Sequence, residues 1–249
     1  MPQQRLVYGK HTVLDLLESS SVRLDKVVIH KGMQKADMEK AQALAAAAKV
    51  PVELQAEIWF HKHCEGGKHQ GLAAWAPLFA YTDLADMLRA CKGPSLLVAL
   101  DQIHDPRNLG AILRSAEALG AQGAFLPKDR ACEVTPTVEK TSSGAASRLA
   151  VAQVVNLNQA LDDVKAAGFW CYGLSLDATE AIESEKFSNK VCLVIGSEAK
   201  GLRPLVAQHC DKLLKIGMRG KTQSLNASVA AAIAMYKVSL DIYGKNQLN

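Results

Sequence analysis

The chain of 249 residues is 49% hydrophobic and 22% charged, a profile that excludes a disordered or fibrous polypeptide. Its net charge of +4, with a pI near 8.7, admits an anionic partner without requiring one. The charge is not gathered in one half, since residues 1–77 carry 10 Lys+Arg against 8 Asp+Glu, leaving 19 against 17 for the remainder. No apolar run approaches the roughly 20 residues of a membrane span, and MPQQRLVYGK lacks the apolar core of a secretory signal. The six cysteines (Cys64, Cys91, Cys132, Cys171, Cys192, Cys210) are scattered without CxxC pairs. They are expected to be reduced thiols of a cytoplasmic protein.

In chain order, residues 1–77 read as a small layered α/β sandwich. Thr12 can cap a short helix carrying Val13, Leu14, Leu16 and Leu17, and a strand follows at 26–30. An alanine-rich helix is predicted over 36–49, a short strand over 51–54, a helix over 56–63 and a strand over 71–76. The intervening HKHCEGGKHQG holds His61, His63, Cys64 and His69. His61 and His63 are two apart, on different faces of a helix, and no second cluster has finger-like spacing, so no metal is expected. Gly66, Gly67 and Gly71 suggest a flexible loop feeding a strand; its His, Lys and Gln could touch phosphate and base edges or simply face solvent. Residues 78–93 are the join, with one helix, ending at the breaker pair Gly93-Pro94.

From residue 94 the pattern repeats strand then helix. The apolar run Leu96 to Leu100 is a buried strand that stops at Asp101. Asp105-Pro106 marks a turn, and Asn108 stands where a helix N-cap is expected. Leu109, Ile112, Leu113, Ala116 and Leu119 form the apolar stripe and Gly120 closes the helix, with Arg114 on its flank and Gly110 leaving room beside the guanidinium. Strands follow at 123–127, 151–155, 169–174, 191–195 and up to 216, with helices over 158–167 and about 225–243 and a polar stretch around 140–144. The architecture expected is α/β, with a mostly parallel sheet covered on both faces.

Two further strand ends behave like the first. Ile195 runs into Gly196-Ser197-Glu198-Ala199-Lys200-Gly201, and Ile216 into Gly217-Met218-Arg219-Gly220-Lys221-Thr222-Gln223-Ser224-Leu225-Asn226. Loops at the carboxyl ends of parallel strands line the ligand crevice, so Asn108, Arg114, Glu198, Ser224 and Asn226 are expected at one edge. The glycines allow close backbone approach and offer N–H groups to a ligand. No GxGxxG follows a strand and no GxxxxGK[ST] is present. Ser197 lies in GSEAKG rather than in a GxSxG elbow, which argues against a serine hydrolase.

DPRNLGAILRSAEALG, LVIGSEAKGL and IGMRGKTQSLNASVAAA, in that order, resemble the three motifs of the SpoU/TrmH-type RNA ribose 2′-O-methyltransferases of the SPOUT superfamily. VYGKHTVLDLLE and HQGLAA are similar to the amino-terminal domain of the subgroup that methylates a guanosine of 23S ribosomal RNA, so the resemblance covers nearly the whole chain. It implies an RNA substrate-binding domain over 1–77, a linker over 78–93 and a methyltransferase domain over 94–249 whose C-terminal segment threads a trefoil knot. It further implies S-adenosylmethionine as cofactor, a homodimer with the site near the subunit interface, and ribosomal RNA as partner. Carried over residue by residue, Arg114 is the catalytic arginine, with Asn108, Glu198, Ser224 and Asn226 completing the catalytic set. Gly196, Ile216, Leu225 and Met218 would contact the cofactor, with Ser142 and Gly144 at the pocket's edge. The chain departs from the family's usual pattern at Gly217, where proline often precedes the methionine, and this leaves the loop's conformation open. Two other readings remain beside this one: a methyltransferase of the same family acting on transfer RNA, and a non-catalytic ribosomal-RNA-binding assembly factor.

Overall fold

The computed structural model describes residues 4–19, 22–64, 69–198 and 200–244. The chain divides between Ala80 and Tyr81 into two units.

The first unit runs β1 (Gln4–Tyr8), α1 (Lys10–Ser19), β2 (Lys26–His30), α2 (Lys35–Ala47), β3 (Val52–Gln55), α3 (Glu57–His63) and β4 (Leu72–Pro77). Its sheet has the order β1-β4-β2-β3, with β4 antiparallel to both neighbours and β2 parallel to β3. Strand alternation divides β2: Val27 and Ile29 pack with Val13, Leu16, Ala41 and Ala45 of α1 and α2, while Val28 packs with Phe60 and Cys64 on the other face. Both faces are therefore covered, giving a three-layer sandwich. β1 is absent from the sequence reading because Gln-Arg-Leu-Val-Tyr is an edge strand with a single buried residue, Val7.

The second unit runs α4 (Leu84–Ala90), β5 (Ser95–Leu100), α5 (Pro106–Ala118), β6 (Gly123–Pro127), α6 (Pro136–Thr141), α7 (Ala145–Arg148), β7 (Ala150–Val154) and α8 (Leu157–Ala166). It continues through β8 (Trp170–Leu174), β9 (Glu180–Ala181), a 3-10 turn at Ile182–Ser184, β10 (Lys190–Ile195), α9 (Pro204–His209), β11 (Lys212–Lys215) and α10 (Ala227–Tyr243). The sheet order is β7-β6-β5-β10-β8-β11-β9, and every pairing is parallel. Leu97 and Ala99 of β5 and Cys192 and Val194 of β10 join α4, α8 and α9 in one core, while α5 and α10 cover the opposite face and pack on each other. All six residues of β5 are buried, as a strand covered on both sides requires.

Residues 78–93 are predicted as a join. Within them, α4 buries Met87 in the second unit's core, together with Cys91, and so belongs to that unit. Among the described residues no helix is long and apolar enough to cross a membrane.

Candidate active site

The carboxyl ends of β5, β10, β8 and β11 lie side by side in the sheet. After β10 the chain turns back on itself: Ser197 N donates to Gly201 O at 3.0 Å and Gly201 N to Ser197 O at 2.9 Å. A Cβ on Gly196 would stand 2.2 Å from the Gly201 carbonyl carbon, so only glycine fits there. The turn is pinned to β5 by Asp101, which is fully buried. Its carboxylate accepts from Arg203 N at 2.8 Å and from Arg203 Nε at 2.7 Å. These bonds satisfy both oxygens of the buried carboxylate and fix the turn to the end of β5.

Three of the predicted residues meet. Asn108 Nδ2 donates to Glu198 Oε1, and Asn226 Nδ2 donates to Asn108 Oδ1 at 3.0 Å. Asn226 also caps α10, its Oδ1 accepting from Ser228 N at 2.9 Å and Val229 N at 3.4 Å. One chain of side-chain bonds thus ties together the turns after β5, β10 and β11. The expected N-cap role of Asn108 is corrected. The cap is Asp105, whose side chain accepts from Arg107 N at 2.8 Å, with Pro106 opening the helix. Proline's fixed φ suits the first helical position, and this moves Asn108 into the first turn, where its amide is free for Glu198 and Asn226.

Beside this chain lies a cavity of about 410 Å³, lined in part by Gly196, Glu198, Ile216, Met218, Ser224 and Leu225. Its volume is within the range of small-molecule sites. Its lining mixes aliphatic side chains (Leu174, Ile195, Leu214, Ile216, Leu225) with polar and small ones (Ser175, Glu198, Ser224, Ala227), the pattern of a site for a small molecule with both apolar and polar parts. Leu174, Leu176 and Asp177, at the end of β8, line it too, and the sequence motifs do not include them. The signal was available, because β8 is another apolar run ending in polar residues. The Asp101–Arg203 pair was likewise missed; a charge directly closing a buried strand was its mark.

Ser142 and Gly144 do not line the cavity. Ser142 is buried, donating to Glu139 O at 2.8 Å and accepting from Ala146 N at 3.2 Å, so its hydroxyl serves the joint between α6 and α7. The room at Gly110 is also taken from within: a Cβ there would meet Thr141 Cβ at 2.7 Å and Val138 O at 2.8 Å, because α6 packs against it. Arg114 is exposed on α5, outside the cavity lining, and forms no ion pair with a described residue. It stands six residues beyond Asn108, about 9 Å along the helix axis.

In the first unit His30, His61 and His69 place Nε2 at 3.1, 3.5 and 3.3 Å from the Glu57 carboxylate. Among the described residues no His, Cys, Asp or Glu group is arranged to hold a metal ion; Gly66 and Gly67 lie outside those residues. A larger cavity, about 460 Å³, also lies in this unit between α1 and α2, lined by Leu16, Leu17, Val22 and Pro51 among others. It holds none of the strand-end residues, so the smaller cavity is the candidate site.

Residues 95–236 match the SpoU rRNA Methylase family, and residues 6–82 match the family described as RNA 2′-O ribose methyltransferase substrate binding. The chain is 34% identical over 244 residues to the 23S rRNA (guanosine-2′-O-)-methyltransferase RlmB of Pseudomonas putida, covering 95% of this chain and 96% of that protein. It is 39% identical over 237 residues to an uncharacterised tRNA/rRNA methyltransferase of Synechocystis, covering 94% of this chain but spanning only 62% of that protein. Among solved structures, the SpoU methyltransferase AviRb of Streptomyces viridochromogenes in complex with AdoMet shares the fold, with a TM-score of 0.68 at 23% identity over 95% of this chain and 89% of that one. The joined turns and the match along both units lead to one conclusion: the chain belongs to the SpoU rRNA methylase family, RNA ribose 2′-O-methyltransferases that use S-adenosylmethionine.

Proposed function

We propose that this chain methylates the ribose 2′-hydroxyl of a guanosine in 23S ribosomal RNA, in the cytoplasm and as a homodimer. The observation that carries the reading is the Glu198–Asn108–Asn226 chain at the cavity, which joins the three motif turns in one place. The specificity for 23S guanosine is supported by the likeness to RlmB along almost the full length of both chains. In this reading residues 1–77 hold the RNA and 94–249 carry the chemistry, with α4 of the expected join packed into the second unit. The reading includes a trefoil knot in the second unit, on the strength of the family membership.

Bound in the cavity, the cofactor supplies an already activated sulfonium methyl. The protein's work is to orient the ribose hydroxyl in line and to help its proton leave. Gly196, Ile216, Leu225 and Met218 are assigned to holding the cofactor. Asn108, Asn226 and Ser224 are assigned to positioning the ribose, with Glu198 fixed by Asn108 at the mouth. Arg114 is assigned to stabilising the developing alkoxide, because a guanidinium does not give up its own proton; Glu198 or water takes the proton onward. The homodimer is supported by Val229, Ile233 and Tyr236, which form an exposed apolar face on α10, the helix that packs on α5.

Nuclease digestion and mass analysis of ribosomal RNA from cells lacking the protein tests the proposal. One ribose-methylated guanosine should disappear from 23S RNA and return with the wild-type gene but not with Arg114→Ala. Loss confined to transfer RNA would move the substrate, and an unchanged methylation pattern would refute the proposal.

A further inference from the structure

The stretch 216–226 joins β11 to α10 without regular structure, yet Met218, Gln223, Ser224 and Leu225 from it line the cavity. At its far end Asn226 is held twice, by its cap bonds and by Asn108. At its near end Gly217 N donates to Glu183 Oε1 at 3.1 Å. Among the described residues, no other backbone N–H of 217–225 donates a hydrogen bond. Glu183 lies in the 3-10 turn Ile182–Ser184, whose Ile182 is buried and which follows directly on β9, paired with β11. The carboxylate therefore belongs to the body of the unit. A Cβ on Gly217 would stand 3.2 Å from Glu183 Oε1, so glycine lets the carboxylate sit directly against the main chain.

We infer that Glu183 is a positioning residue for the cofactor, holding the loop after β11 in its binding shape through the Gly217 N–H. A proline at 217 would have no N–H to give and would leave the near end of the loop without this tie. A loop tied at both ends loses less freedom when it closes on a ligand than one tied only at Asn226. The carboxylate touches no reacting atom; it acts through the loop. The inference rests on the reading of this cavity as the S-adenosylmethionine site.

The test is calorimetric titration of the full chain with S-adenosylmethionine, together with amide hydrogen exchange at Gly217 in the ligand-free protein. Glu183→Ala should raise Kd about threefold to tenfold and speed exchange at Gly217 by a similar factor, as loss of one solvent-exposed hydrogen bond to a carboxylate implies. The thermal midpoint should stay close to wild type. Glu183→Gln keeps an acceptor oxygen and should stay within about twofold of wild type. An unchanged Kd in Glu183→Ala, or equal loss in Glu183→Gln, would overturn the anchor. Ala230→Trp, which fills the cavity, separates the two failures: if it binds as wild type does, the cavity reading is wrong and the anchor falls with it.

Discussion

Arg114 stands apart from the other site residues, exposed on α5 while Asn108, Glu198 and Asn226 are bonded to one another. The sequence places it at one edge with them, whereas within this chain it neither bonds to them nor lines the cavity. Arg114→Lys should lower kcat at least about 100-fold, because an ammonium cannot offer the planar fork of donors to the developing oxyanion. Affinity for S-adenosylmethionine should stay within about twofold, since the contact is made only in the transition state. Single-turnover rates and calorimetry check both halves, and a lysine variant with wild-type turnover would remove Arg114 from its role.

Elements show how far the residues alone could lead. β5 and β10 were legible because each is an apolar run that ends abruptly in a carboxylate (Asp101) or a glycine (Gly196), and those ends are where the site collects. The short α6, α7 and α9 were not, since helices of one or two turns have too little periodicity to stand out. Their cost to the reading was concrete. Without α6, Gly110 looked like space left for a ligand, whereas it is the seat of Val138 O and Thr141. In the sequence Asp105-Pro106 reads as a free turn and leaves Asn108 for the cap, although the same dipeptide can open a helix. Gly110→Ala should destabilise the unit by about 1–3 kcal/mol through overpacking between α5 and α6. The thermal midpoint should fall about 2–4 °C for each kcal/mol lost in a chain of this size. A midpoint equal to wild type would show that α6 yields freely.

At the scale of the whole molecule, two properties follow from what is covered and what is not. Val229, Ile233 and Tyr236 remain 46%, 41% and 51% exposed on successive turns of α10. A two-fold contact would press the same patch of both subunits together, so Ile233→Glu, which puts a charge into it from both sides, should convert a dimer to a monomer in sedimentation. A monomeric wild type, or a variant as dimeric as wild type, would contradict the homodimer. The second property is pH dependence. Burial pushes Cys210 up from 9.0 to about 12 and raises Cys192 well above 9.0; Tyr172 and Tyr243 are also raised by burial. A raised folded pKa means that the unfolded chain loses its proton first, so stability is complete below pH 9 and declines as pH climbs from 9 toward 12. Urea midpoints measured on either side of pH 9 should show this fall, and a flat profile would contradict the burial of these groups.

The central claim is that the turns after β10 and β11 form one receptacle for the methyl donor. Amide hydrogen exchange with and without S-adenosylmethionine reads it directly. Protection should appear together in 195–202, 214–218 and 223–227, with little change in the first unit. Protection around Val22 to Asp25 and Lys49 to Pro51 instead, or in only one of the strand-end turns, would contradict the account.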